Sequence, residues 1–128
     1  MIRFVLQILL FLAYFDTIST QNPEIILCPQ GGNATIPLPV SANYRRTVQD
    51  ANFKDEEHLY RVCNGKNQKT CGFWENVKTK KKMASGKTQY NKNKKTLIIR
   101  NVLATDFGTY MTGNKKQSKI LHKLIVKG

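Results

Sequence analysis

The chain has 128 residues, which is room for about one domain. Its 21 basic and 8 acidic residues give a formal net charge of +13, and such an excess indicates an acidic partner or surface. The sequence contains no phosphate-binding loop, zinc-site spacing or nucleophile motif. We therefore predict no cofactor, no metal site and no catalytic residue, and we do not expect an enzyme.

The first 20 residues have the order of a secretory signal peptide. Arg3 supplies a positive charge, an apolar run covers 4–15, and small residues follow near Ser19. The run is shorter than the roughly 20 apolar residues that a transmembrane helix needs. An uncleaved anchor or a buried first strand is the alternative. We predict a signal peptide at 1–20 and a secreted, extracellular domain at 21–128.

The positive charge is expected to remain after cleavage. Removal of Arg3 and Asp16 leaves 20 basic and 7 acidic residues, still a net charge of +13. The last segment, 120–128, is too short and too charged for a membrane span or a lipid-anchor signal, so we do not expect a membrane-spanning protein. For a secreted protein, sulfated polysaccharide or anionic membrane fits this charge better than nucleic acid.

Short alternating segments separated by polar turns predict an all-β chain. Residues 41–56 are polar and are predicted to form a long loop, and residues 78–95 are rich in lysine. About eight short strands in about 108 residues indicate an antiparallel β-sandwich. The predicted strands are 25–28, 34–40, 59–63, 71–77, 97–99, 109–112 and 119–126.

The second segment, 34–40, carries two prolines. Pro37 and Pro39 lack N–H groups on the same side of the strand, because residues two apart point the same way. We predict a strand that is hydrogen-bonded well on one side and poorly on the other. Its apolar face is expected to hold Ala34, Ile36, Leu38 and Val40.

Three cysteines leave one without a partner inside the chain. Cys63 and Cys71 flank a polar turn, and we predict a disulfide across it that contributes about 2.6 kcal/mol through loop closure. Cys28 would then be free or would link two chains as a dimer. A metal site with help from His58 or His122 is the weaker alternative, because the spacing matches no zinc motif.

Asn33 begins the sequence Asn-Ala-Thr, which is an acceptor for N-linked glycosylation. In a secreted chain we predict that Asn33 carries a glycan, and this requires the side chain to be exposed. An unused acceptor sequence is the alternative.

The lysine-rich segment is the predicted anion-binding or partner-binding patch. The eight lysines follow each other closely in the sequence, with Tyr90 among them, and could form one positive surface. The alternative is that they prevent edge-to-edge aggregation of strands. Arginine is scarce, so diffuse attraction is expected rather than bidentate recognition. The patch consists of Lys78, Lys80, Lys81, Lys82, Lys87, Lys92, Lys94 and Lys95.

The stretch 97–110 resembles strands E and F of immunoglobulin variable-type domains. The resemblance implies a structural corner in which Gly108 allows a close approach and Tyr110 places its hydroxyl group on the turn backbone. It also implies a basic partner for Asp106, and Lys82 stands near the position where the family has one. The matching residues are Leu97, Ile99, Val102, Asp106, Gly108 and Tyr110.

The chain departs from the family where the family has its core disulfide. The two cysteine positions correspond to Thr112 and to a residue near Leu38, so the usual bond between the sheets is expected to be absent. The family's core tryptophan is also displaced, since Tyr60 or Leu59 occupies the expected position. Loss of such a bond costs about 2–5 kcal/mol, which apolar packing must offset.

The resemblance points to short, secreted, single-domain immunoglobulin-like proteins of invertebrate type. It implies a non-catalytic module for protein binding or cell-surface recognition, with an extracellular protein or a cell-surface receptor as its partner. The alternative is a cationic secreted factor that binds anionic polysaccharide (an anionic glycan) or microbial membrane, in a role such as defence.

Overall fold

The computed structural model describes residues 23–125, and the predicted signal peptide lies outside them. This part of the chain is all-β, with nine strands in two sheets and a single 3-10 turn at Ala104–Asp106. No helix within 23–125 is long and apolar enough to cross a membrane. The strands are β1 (Glu24–Cys28), β2 (Ala34–Pro37), β3 (Asn43–Gln49), β4 (Asp55–Arg61), β5 (Trp74–Asn76), β6 (Lys87–Asn91), β7 (Thr96–Arg100), β8 (Gly108–Thr112) and β9 (Ser118–Lys123).

The nine strands divide unequally between the sheets. The larger sheet has six strands in the order β1-β9-β8-β3-β4-β5, and the smaller has three in the order β2-β7-β6. All pairs are antiparallel except β1 with β9, which run parallel from the Glu24–Lys119 pair onward. The first and last strands of the described chain therefore lie side by side.

The core lies between the sheets and is built from alternate residues of facing strands. Ile36, Leu97 and Ile99 come from the smaller sheet, and the larger sheet contributes Trp74 and Leu121, all of them buried. Each such side chain contributes about 1.5–3 kcal/mol when it leaves water. Apolar packing is therefore the main source of stability.

Aromatic contacts join the two sheets where no disulfide does. Tyr44 of β3 stacks on Tyr90 of β6, with ring centroids 4.9 Å apart. Thr112 is buried next to this stack and pairs with Tyr44 across β8 and β3. Among residues 23–125 no disulfide links the sheets, because Cys28 is free and the one bridge is local.

The prediction of a long loop at residues 41–56 is wrong, because β3 occupies 43–49 and β4 begins at Asp55. In β3 the inward positions are Tyr44, Arg46 and Val48, and all three are buried. A charged residue at the central inward position hides the alternation that sequence reasoning relies on. Strand β6 within the lysine-rich segment was missed for a similar reason, since its one buried residue is the polar Thr88.

The prediction of one-sided hydrogen bonding for the proline-bearing strand is confirmed. In the described part of the chain β2 lies at an edge of the smaller sheet and pairs with β7 alone. Ala34, Ile36 and Leu38 are buried as expected, but Val40 is 55% exposed. The strand ends at Pro37, so the alternation no longer applies three residues later.

Candidate functional site

Asp106 lies at the centre of a buried polar network at the β7–β8 corner. The hydroxyl of Tyr110 donates to the carbonyl oxygen of Asp106 at 2.5 Å. The Asp106 carboxylate accepts hydrogen bonds from Ser85, from the Gly86 N–H at 2.8 Å and from the Leu103 N–H at 2.8 Å. This arrangement fixes the turn that leads into β8.

The basic partner of Asp106 is Arg46, and the expectation of Lys82 in that role is wrong. Nη1 of Arg46 lies 2.7 Å from the Asp106 carboxylate, and both side chains are fully buried. Lys82 is exposed, with its ammonium group 5.5 Å from the ring of Phe73. The true partner lies 60 residues away in the sequence, so no local pattern could identify it.

His58 belongs to the same network, although it follows Glu56 and Glu57 in the sequence. Its side chain is 2% exposed, and Nδ1 accepts a hydrogen bond from Nε of Arg46 at 3.0 Å. Nε2 lies 3.0 Å from the Glu56 carboxylate, which fixes it as the protonated nitrogen of a neutral ring. Burial lowers the pKa of His58, the Arg46 charge adds to this, and the Glu56 hydrogen bond opposes it. The network is enclosed, so its role is to hold the sandwich together.

Gly108 lies where β8 comes closest to β3. A Cβ atom at this position would collide with the carbonyl oxygen of Thr47 and would come within 2.9 Å of the Val48 side chain. Only glycine permits this approach, because the obstacle is backbone and cannot rotate away.

The eight predicted patch lysines do not form one surface. Lys78, Lys80, Lys81 and Lys82 follow β5, with Lys87 at the start of β6, whereas the other three lie in the turn between β6 and β7. Lys92 lines a cleft beside Asn43, where β3 begins, and Lys78 lines a different cleft beside Asp50, just after β3 ends. The length of β3 separates Lys78 from Lys92 by about 20 Å.

Acidic residues are concentrated near the first lysine group. The cleft that contains Lys78 has a volume of about 320 Å³ and is also lined by Asp50, Asp55, Glu56 and Glu57. The positive charge is therefore partly compensated at this end of the molecule.

At the other end lie four connecting segments, of which three carry positive charge and none carries negative charge. We call residues 38–42, 62–73, 92–95 and 113–117 together the basic loop end. They contain seven lysines and no aspartate or glutamate. Sequence reasoning missed four of these lysines, because only the fold brings the separate turns together. The seven are Lys66, Lys69, Lys92, Lys94, Lys95, Lys115 and Lys116.

Backbone hydrogen bonds tie these turns to one another. The N–H of Gly113 donates to the Asn43 carbonyl at 3.0 Å, and the N–H of Leu38 donates to the Lys95 carbonyl at 3.2 Å. Lys115 turns back toward the larger sheet, with its ammonium group 3.3 Å from the Glu57 carboxylate. Burial alone would raise the pKa of Glu57, but the hydrogen bonds from Arg45 and Lys115 lower it.

The Cys63–Cys71 disulfide lies within the basic loop end. It closes the loop between β4 and β5 across a sequence separation of 8. Inside the loop, the Asn67 side chain donates to the Val62 carbonyl at 3.0 Å and accepts from the Asn64 N–H at 3.0 Å. The loop that carries Lys66 and Lys69 is thus held by both covalent and polar contacts.

The outer face of the larger sheet is partly apolar. Ile25 and Leu27 of β1 are 61% and 58% exposed. The strand pairings place Ile120, Met111 and Leu59 on this same face, where each is half-buried. We call these five residues the apolar outer face.

Asn33 lies immediately before β2 and is exposed, as glycosylation requires. Its Oδ1 accepts a hydrogen bond from the Asn101 N–H at 3.2 Å. A glycan is attached through Nδ2, so this hydrogen bond is compatible with the modification. The hydroxyl-bearing Thr35 of the acceptor sequence is exposed as well.

Cys28 is buried, and its thiol lies 3.3 Å from the Pro29 carbonyl oxygen. Burial raises the pKa of this thiol, which lowers its reactivity. The dimer linkage considered for Cys28 would require local opening of β1, because a disulfide needs two accessible sulfur atoms.

Residues 23–125 contain no group of three or more histidine, cysteine, aspartate or glutamate residues that is placed to hold a metal ion. His122 is exposed and lies far from His58 in the larger sheet, three strands away. Comparison of the chain with protein-family models, with curated proteins and with solved structures found no match.

Proposed function

We propose that this chain is a secreted, single-domain immunoglobulin-like recognition module that acts by binding another protein and not by catalysis. The strand arrangement is the observation that carries the proposal. When β1 to β9 are named A, B, C, C′, C″, D, E, F and G, the larger sheet holds C″, C′, C, F and G, as in a variable-type domain. The smaller sheet holds B, E and D. Strand A departs from the simple scheme, because it lies beside G.

Details of the corner support the same proposal. The hydrogen bond from Tyr110 to the backbone four residues upstream is the contact of a tyrosine corner. Strand β3 takes the C position with Tyr44 as its buried aromatic residue, and Tyr60 lies on β4 in the C′ position. Under this proposed naming, the core tryptophan position falls on Tyr44 and not on Tyr60 or Leu59.

The apolar outer face supports protein binding. Protein interfaces combine an apolar centre with a polar rim. Here the face carries Ile25 and Leu27 at one side, and the ion pair between Arg45 and Glu57 at 2.9 Å supplies its polar part.

The secretion part of the proposal is tested by expressing the full chain in secretory eukaryotic cells. We expect a protein in the medium whose N-terminus begins near residue 21, by mass spectrometry. The Asn33→Gln variant should differ from wild type by the mass of one glycan. Retention in the cells with an intact N-terminus would contradict secretion.

The binding part is tested by using the mature domain to capture partners from extracellular fluid at about 0.15 M salt. We expect one protein to be retained by wild type and lost with Leu27→Glu on the apolar outer face. Gln89→Glu, on the exposed side of the smaller sheet, is the matched control and should retain the partner. Equal capture by both variants would argue against this face.

A second candidate is a cationic secreted factor that binds anionic polysaccharide or microbial membrane. The specific observation in its favour is the basic loop end, with seven lysines and no acidic residue. Salt separates the two candidates, because attraction between exposed charges is screened within about 8 Å at physiological ionic strength. A partner that stays bound at higher salt supports the first candidate, and one that dissociates supports the second.

A further inference from the structure

We propose that the cleft at the basic loop end binds a segment of sulfated polysaccharide. The inference rests on the second candidate function and assigns it a site and a ligand class. The cleft has a volume of about 350 Å³ and is lined by residues from the β2–β3, β4–β5 and β6–β7 connections. Clefts of roughly 300–1,000 Å³ are typical of small-ligand sites.

The lining of the cleft suits a sugar chain. Ser41, Asn43 and Asn64 contribute hydroxyl and amide groups, which are the partners that sugar hydroxyl groups need. Lys92 also lines the cleft and offers an ammonium group for a sulfate. One cleft thus combines neutral hydrogen-bonding groups with a positive charge.

Further lysines surround this cleft on several sides. Lys66 and Lys69 lie in the loop after β4, Lys94 and Lys95 lie in the β6–β7 turn, and Lys116 lies in the turn after β8. Strands β8, β3 and β4 are adjacent, so their turns extend over about 10 Å within the larger sheet, and the sheets lie about 10 Å apart. A polymer with repeated sulfate groups can contact several turns at once, whereas a single small anion cannot.

The scarcity of exposed apolar side chains favours a polysaccharide over a membrane. Membrane-binding surfaces combine basic residues with apolar side chains that enter the lipid. Val40 is the one large apolar side chain that is exposed at the basic loop end. Other exposed apolar side chains, such as Phe53, Ile25 and Leu27, lie elsewhere. A surface that offers charge and amide groups without apolar anchors matches a hydrated polyanion.

The first lysine group provides a matched control. The loop-end variant replaces Lys66, Lys92, Lys94 and Lys95 with glutamine. The control variant replaces Lys78, Lys80, Lys81 and Lys87 with glutamine. Each change removes four positive charges, so the net charge of the mature chain falls from +13 to +9 in both variants. All eight side chains are exposed, so neither variant removes core packing.

The test measures the dissociation constant of the mature domain for heparin at about 0.15 M salt, with folding checked by circular dichroism. We expect roughly 10- to 100-fold weaker binding for the loop-end variant, since each exposed ionic contact contributes a fraction of 1 kcal/mol. The control should stay within about threefold of wild type. Desulfated heparin should bind no better to wild type than to the loop-end variant.

Several results would overturn the inference. Equal weakening of both variants would show that net charge acts without a site. Binding to vesicles of phosphatidylserine and phosphatidylcholine in preference to heparin would make a membrane the ligand. If the wild-type domain does not bind heparin at all, the polysaccharide form of the second candidate function is also wrong. If both variants are weakened equally, that function stands and only the proposed site is wrong.

Discussion

Arg46 is a charged side chain that is enclosed in the core, and its neighbours explain how the fold tolerates it. Nε donates to His58 and Nη1 to Asp106 and Tyr110, and the guanidinium group lies 4.4 Å from the ring centroid of Trp74. Only arginine combines a planar fork of donors with a flat face that stacks on an aromatic ring. The residue thus connects β3, β4, β5 and β8 around one charge.

Removal of the partner carboxylate is expected to be severe. In Asp106→Ala the buried Arg46 charge loses its counter-charge, and the N–H groups of Gly86 and Leu103 lose their acceptor. We expect the free energy of unfolding to fall by about 3–5 kcal/mol, measured by urea denaturation. Glu24→Ala, which removes an exposed ion pair with Lys119, should cost less than about 1 kcal/mol. Similar costs for the two variants would contradict the structural role of the network.

His58 should make stability depend on pH in a defined direction. Arg46, Glu56 and Asp106 face the ring, and burial lowers its pKa from the ordinary value of 6.5, so the folded state favours the neutral form. The unfolded chain binds the proton more readily, so stability is complete above about pH 6.5 and declines as the pH falls below it. We expect a lower free energy of unfolding at about pH 5.5 than at about pH 7.5.

The two histidines allow a matched comparison. With His58→Gln, the free energy of unfolding should vary less between about pH 5.5 and pH 7.5. His122→Gln should leave this pH dependence unchanged, because His122 is exposed. An unchanged pH dependence in His58→Gln would assign the effect to another group.

The loop between β4 and β5 shows how a single element is held. The disulfide stabilises chiefly by limiting the freedom of the unfolded chain, and a separation of 8 residues corresponds to about 2–3 kcal/mol. We expect the Cys63→Ser, Cys71→Ser double variant to remain folded with its free energy of unfolding lowered by that amount. Reducing agent should lower the free energy of unfolding of the wild-type protein to that of the variant. It should not change the free energy of unfolding of the variant. A variant as stable as wild type would show that the polar contacts of Asn67 suffice.

The two sheets share one core, so the molecule should unfold as a single unit. Trp74 is the only tryptophan in the chain, and it contacts Tyr60 and Tyr110 with ring centroids 5.3 and 5.5 Å away. Its fluorescence reports on core packing, and far-ultraviolet circular dichroism reports on the strands. We expect the two signals to change at the same urea concentration, as two-state unfolding requires. Separate transitions would show that the sheets unfold independently.

Charge is distributed unevenly over the whole molecule, and this distribution is not visible in the net value of +13. Acidic residues gather in the β3–β4 connection and the start of β4, around Asp50 and Glu56, so the lysines there are partly compensated. At the basic loop end Lys115 is the one lysine of the seven with an acidic partner, Glu57. An anionic partner is therefore expected to approach the molecule from that end.

The sequence by itself determined the features that depend on neighbouring residues. The all-β class, the one-sided pairing of β2 and the local Cys63–Cys71 bridge follow from alternation, proline chemistry and short spacing. The hydrogen bond from Tyr110 to the Asp106 carbonyl likewise depends on a few consecutive residues. Such features are predictable because the chain itself holds the interacting groups close together.

Only the tertiary structure decided which distant residues meet. The sequence could not identify Arg46 as the partner of Asp106. A charged residue in a sequence is normally interpreted as an exposed loop residue, and only the position of its counter-charge shows that it is buried in β3. The sequence could not show which patch lysines lie at opposite ends of the molecule, or that Lys66 and Lys92 lie at the same end. The turns that carry these lysines are brought together by the order of strands within and between the sheets. The physical reason is that long-range contacts depend on strand pairing across the whole fold, which local patterns do not encode.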